Sequence, residues 1–162
     1  MRGISDMLSA LYGGENLVFA IMERPQEIRQ SAKKLAELYV EFAKFQLIYI
    51  PEFYGGIGSF YYNAWAPKGT VWHQEDAAAL LSPQMYRDCI FPFDKKIYEK
   101  LGGGIMHMHP TGYYPYSELL DTNLAAMELH IDQGGPSAKQ LFEVHKEILQ
   151  SKPLIIWGQL SD

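Results

Sequence analysis

The chain has 162 residues, 48% of them hydrophobic and 20% charged, which suits one folded domain with a sizeable core. Its net charge is −5 and its arginines are Arg2, Arg24, Arg29 and Arg87, so no basic stripe offers itself to nucleic acid. No apolar run approaches the roughly 20 residues of a membrane span, and neither nucleic acid nor a membrane is an expected partner.

Asp6, Gly13, Gly14, Glu15 and Asn16 occupy the place where a signal peptide would have its apolar centre. Cys89 is the lone cysteine, which rules out an intrachain disulfide and a multi-cysteine zinc site. The two features together point to a cytoplasmic protein. Residues 1–24 read as a leading segment and residues 25–162 as βα units. Pro25 opens a long amphipathic helix in which Ile28, Leu35, Leu38, Phe42 and Phe45 form the apolar stripe, ending before Pro51. Gly55, Gly56 and Gly58 make a turn, Ser59 to Trp65 reads as a strand, and Trp72 to Asp76 as a loop carrying His73, Glu75 and Asp76.

Ser82 followed by Pro83 starts a helix whose buried stripe is Tyr86, Ile90, Phe93, Ile97 and Leu101, with a kink expected at Pro92. Three glycines, 102 to 104, end it. Next come a strand containing His107 and His109, a short helix near Tyr116 to Asp121, a strand from Ala125 to Ile131, and a helix from Pro136 to about Gln150 with Leu141, Val144 and Ile148 inward. Leu154 to Trp157 reads as a strand buried on both faces, ended by Gly158 and Gln159. Four strands alternating with helices predict an α/β fold with a parallel sheet and right-handed crossovers.

The segment GGGIMHMHPTG carries the most chemistry. Alternation along a strand puts His107 and His109 on one face, roughly 6 to 7 Å apart at Cα, close enough to hold one metal ion or one anion. Pro110 to Gly112 ends the strand, so both histidines sit at its C-terminal end, where parallel α/β folds keep their active sites. In the next strand Glu128, His130 and Asp132 share one face. Together these strands would present His107, His109, Glu128 and His130 at one end of the sheet, a set from which zinc could take three ligands and keep an open position. Imidazoles satisfied by neighbouring carbonyls, and a plain Glu128–His130 pair, remain open alternatives at this level. The eleven tyrosines include a group at 113, 114 and 116 that can line a pocket or cap a core.

The order of MxGISDMLSALYGGENL, ERPQEIRQ, QEDAAALLSPQMYRDCIFPF, GGGIMHMHPTG and PLIIWGQL resembles the uroporphyrinogen decarboxylase superfamily over nearly the whole chain. That superfamily includes porphyrinogen decarboxylases and zinc-dependent methyltransferases that move methyl groups between methylated corrinoids and thiols. The resemblance implies a (β/α)₈ TIM barrel of which this chain, a single domain over 1–162, holds about half and is incomplete at both ends, since a whole barrel needs roughly 250 residues. A homodimer or a missing barrel half would complete it. In the methyltransferase branch the strand reads His-x-Cys; here His109 replaces the cysteine, and the further cysteine ligand lies beyond this chain.

The strand pattern and the resemblance together give metal ligands His107, His109 and His130 and catalytic carboxylates Asp76 and Glu128, either of which could be a third ligand or orient an imidazole. Tyr113, Tyr114 and Gln159 would bind substrate. The implied cofactor is zinc, with a methylated corrinoid as donor and a small molecule or corrinoid protein as partner. A metal-free porphyrinogen carboxy-lyase using Asp76, with Tyr113 or Tyr114 on a substrate carboxylate, is one alternative. A non-catalytic fragment or binding module is the other.

Overall fold

The structure, a computed structural model, describes residues 1–59 and 63–159. Residues 1–24 are more than a lead-in, because they form helices α1 (Ile4–Tyr12) and α2 (Gly14–Glu23). Gly13 separates them at φ 83°, a left-handed step that glycine makes at little cost, and its N–H closes α1 on the Ser9 carbonyl. Helix α3 (Pro25–Tyr49) follows, with Pro25 in its first turn, where a missing N–H matters least.

The buried face of α3 differs from the one its large apolar residues predict. Ile28, Ala32, Ala36, Tyr39 and Ala43 face inward, whereas Leu38, Phe42 and Phe45 are more than half exposed. The helix carries two apolar stripes, and the alanine-rich one wins because small side chains let α3 lie close against α1 and the helix that precedes the histidine strand.

Strands β1 (Gly56–Ser59) and β2 (Ala64–Pro67) pair antiparallel. The strand expected over Ser59 to Trp65 is therefore the ends of two strands; residues 60–62 lie outside the described residues. Asn63 at φ 49° turns the chain where continuous aromatic content suggested extension. The first strand of the main sheet is instead β3 (Val71–Gln74), in the stretch read as a loop. Its signal was obscured because His73, a polar residue, fills a fully buried inward position.

A 3₁₀ turn (Asp76–Leu80) leads to α4 (Pro83–Cys89), capped by the Ser82 hydroxyl, which accepts the Met85 N–H at 3.2 Å. The chain breaks at Ile90, and α5 (Phe91–Lys100) starts with Pro92 in its first turn, so the expected kinked helix is two helices. Then come β4 (Gly104–Met108), α6 (Tyr116–Leu119), β5 (Ala126–Ile131), α7 (Phe142–Leu149) and β6 (Leu154–Gly158). Helix α7 starts six residues later than Pro136 suggests, because Ser137 and Gln140 bond each other's side chains and backbone in a local turn. Strand β6 is not buried on both faces: Ile156 and Trp157 are 37% and 38% exposed, and among the described residues no strand lies beyond it.

The four strands run parallel in the order β3-β4-β5-β6, each beside its neighbour in sequence. One face packs Met106, Met108, Met127 and Leu129 against the helices through Ile4, Leu8, Tyr86, Ile97 and Tyr98. Each such fully buried side chain contributes about 1.5–3 kcal/mol. The other face has a smaller cluster at its N-terminal half, where Ile105 and Ala126 meet Ala66 of the hairpin. Above that cluster the same face carries the histidines. No helix among the described residues is long and apolar enough to cross a membrane.

Candidate metal centre

Parallel pairing sets Gln74 beside His107, His107 beside Glu128, and His130 beside Trp157. Partners in register share a face, so these side chains point the same way at the C-terminal end of the sheet. The glycines before β4 make this placement possible. Gly103 holds φ 118°, and a Cβ on Gly104 would lie 2.8 Å from the Tyr98 ring, which therefore tucks under the start of the strand.

His107 of β4 and His109 just past its end meet through their outer nitrogens, His107 Nε2 lying 2.9 Å from His109 Nε2. Each inner nitrogen is held by a carboxylate: His107 Nδ1 by Glu128, and His109 Nδ1 by Asp132 at 2.8 Å. Ionised carboxylates only accept, so each Nδ1 carries a proton, and in a neutral ring Nε2 then presents its lone pair. Two lone pairs facing at this distance repel unless a proton or a metal ion lies between them. Asp76 Oδ1 closes the group, 4.0 Å from His107 Nε2 and 3.8 Å from His109 Nε2. That oxygen is shielded from solvent and has no hydrogen-bond partner, while Oδ2 of the same carboxylate accepts from Gln74 at 2.9 Å.

The ligand atoms of Asp76, His107 and His109 all lie within 4.8 Å of one another. Tetrahedral zinc at about 2.0–2.1 Å from each ligand requires separations of roughly 3.3 Å; the imidazole pair at 2.9 Å stands inside that distance and the Asp76 oxygen, at 3.8 and 4.0 Å, outside it. A carboxylate behind each imidazole is the arrangement that orients metal-binding histidines and raises their basicity. The residues therefore fit a divalent ion. Burial alone would lower the pKa of His107, but the bond to Glu128 and the charges of Glu128, Asp76 and Asp132 outweigh it and carry the imidazole above its usual value.

Sequence reasoning named most of this set and left open which carboxylate would be a ligand and which would orient an imidazole. Asp76 faces the imidazoles as an open-side ligand, its side chain 41% exposed. Glu128, fully buried, sits behind His107, with its Oε1 3.9 Å from His130 Nδ1. His130 stands beside the group; its ring centroid lies 4.9 Å from that of His109, and its Nε2 is 3.9 Å from Asp132. Asp132 was noted on the same face but given no role, although the Glu-x-His-x-Asp alternation would have supported one. Tyr113 packs edge-on against Tyr86 and Tyr114 stacks on Tyr116, so both rings join the helical layer. Gln159 is exposed just past β6, its backbone N–H on the Ile131 carbonyl.

No protein-family model matches the chain, and no curated protein matches it significantly in sequence.

Proposed function

We propose that the chain binds one zinc ion through Asp76, His107 and His109 and works as a metal-dependent methyltransferase of the uroporphyrinogen decarboxylase superfamily, moving a methyl group from a methylated corrinoid to a thiol. The carrying observation is the pair of imidazole Nε2 atoms facing each other at 2.9 Å with both Nδ1 atoms committed to carboxylates. The sheet, singly wound with neighbouring strands consecutive in sequence, is then one part of a (β/α)₈ barrel, and the histidine face is its interior.

Bound there, zinc supplies Lewis acidity that favours the thiolate over the thiol. Glu128 and Asp132 keep both rings turned toward the site. Asp76 stands on the half-exposed side and leaves a path for the thiol. The gathering of Asp6, Asp76, Glu128 and Asp132 at this end disfavours the porphyrinogen decarboxylase alternative, whose substrate is itself a polyanion.

Elemental analysis of the chain beside the His107→Ala/His109→Ala variant tests the metal, and loss of methyl from methylcobalamin in the presence of a small thiol tests the reaction. Zinc content should fall by one per chain in the variant, and methyl transfer should fall with it. Unchanged zinc content ends this reading.

A further inference from the structure

We propose that His73, Glu75 and Asp94 form a second metal site, on the opposite face of the sheet, that takes a divalent zinc ion and fastens the N-terminal helix to the strand and helix layers. His73 is in register with Met106, on the methionine side of the sheet, away from His107. The three side chains are 0%, 2% and 0% exposed.

Each of them turns one atom inward and has its other atom fixed from outside. His73 Nε2 lies 2.9 Å from Glu75 Oε1 and 3.6 Å from Asp94 Oδ1, and the inner atoms all lie within 4.8 Å of one another. On the outside, the Tyr98 hydroxyl meets His73 Nδ1 at 2.8 Å, the Tyr86 hydroxyl donates to Asp94 Oδ2 at 2.6 Å, and the Ser5 N–H donates to Glu75 Oε2 at 2.8 Å. Glu75 Oε1 also accepts the Ile4 N–H. Outer partners on every ligand are the mark of a metal site whose geometry is fixed before the ion arrives.

Asp94 Oδ1 supplies an independent pointer. It is wholly buried, accepts no N–H or hydroxyl donor, lies 3.6 Å from His73 Nε2 and stands within 4.8 Å of the Glu75 ligand oxygen. Among the described residues, the ion-pair partner of both acids is His73 and no lysine or arginine. Were both buried carboxylates ionised, they would leave negative charge uncompensated even with that imidazole protonated. A divalent cation with a neutral histidine brings the sum to zero. A proton bridges two of the inner atoms; a metal ion engages all three. The donor set, one imidazole and two carboxylates, suits zinc.

The test uses the full chain with His107→Ala and His109→Ala, which removes the first site and leaves this one. After chelator treatment and addition of zinc chloride, elemental analysis should find one zinc per chain. The melting temperature should rise by roughly 5–10 °C at zinc a hundredfold above its Kd and fall again with chelator. Asp94→Asn in the same background should abolish both effects. Absence of zinc from the double variant, or its persistence after Asp94→Asn, overturns the proposal. If Asp94→Asn does not fold, X-ray absorption on the cobalt(II)-loaded double variant decides: a shell containing one imidazole supports the site, and an all-oxygen shell overturns it. The double variant lacks the first centre, so failure here is separate from failure of the methyltransferase reading.

Discussion

Asp6 and Glu75 each terminate the other's backbone element. The Glu75 carboxylate takes the N–H groups of Ile4 and Ser5 at the start of α1, and Asp6 takes the N–H of Ala77 at the start of the 3₁₀ turn at 2.8 Å. Gly3, the N-cap of α1, has no capping side chain of its own, so this exchange between segments some 70 residues apart replaces a local cap.

That clasp leaves no room at Gly3. A Cβ there would lie 1.9 Å from Glu75 Oε1 and 2.3 Å from both the Gln74 carbonyl and His73 Nε2. Gly3→Ala should destabilise the chain by about 1–3 kcal/mol, the usual range for overpacking, read as a lower urea midpoint. An unchanged midpoint would contradict the packing described.

Asp6 also sets a pH dependence. Burial pushes its pKa up from 3.8 to about 6, helped by the charges of Glu75 and Asp76 and opposed by the bonds from Ala77 and Gln74. The folded state therefore holds this proton more tightly than the unfolded chain does. In the metal-free protein Asp6 costs no stability below pH 3.8, and its cost grows from there until the pH has risen through about 6. Asp6→Asn, which keeps an oxygen for the Ala77 N–H, should flatten the stability profile over that window. Parallel wild-type and variant profiles from urea unfolding across the window would refute this.

Glu128 and Asp132 act through the imidazoles they hold. Glu128→Gln keeps an acceptor for His107 Nδ1–H but removes the charge, and Asp132→Asn does the same for His109. Zinc affinity at the His107–His109 site should fall about 10- to 100-fold in either variant, measured in the Asp94→Asn background by competition with a chromophoric chelator. Full affinity in both would show that the carboxylates do not support the ligands.

The two stripes of α3 respond to substitution in opposite ways. Phe42→Ser, on the exposed stripe, should change stability by no more than about 0.5 kcal/mol. Ala36→Leu, on the face packed against the core, should cost about 1–3 kcal/mol. Thermal denaturation of both variants checks the assignment, and the reverse order would restore the stripe that the larger residues suggest.

The α3 case shows where the sequence can be read and where it cannot. Hydrophobicity marks Leu38, Phe42 and Phe45, but burial followed size, and the alanines opposite carry no comparable signal. Strand β3 was hidden for a related reason: its inward row contains His73, whose partners Asp94 and Tyr98 come from another element of the chain. By contrast β4 and β5 were legible, since glycines delimit one and alternation marks the other. The histidines and Glu128 were legible with them. The division of labour was not, because which carboxylate faces a metal and which stands behind a ring depends on strand register. Tyr113 and Tyr114 pack on the helical layer, and since tyrosine serves cores and pockets alike the sequence does not distinguish the two.

Strand β4 and the residue after it read Met-His-Met-His from 106 to 109, with imidazoles on one side and thioethers on the other. A one-residue insertion at its glycine lead would exchange the two rows. The site would then offer soft sulfur suited to copper(I) in place of nitrogen suited to zinc, and two imidazoles would be driven into the methionine-lined core without acceptors. The glycine count ahead of this strand therefore sets the chemical hardness of the centre as well as its position.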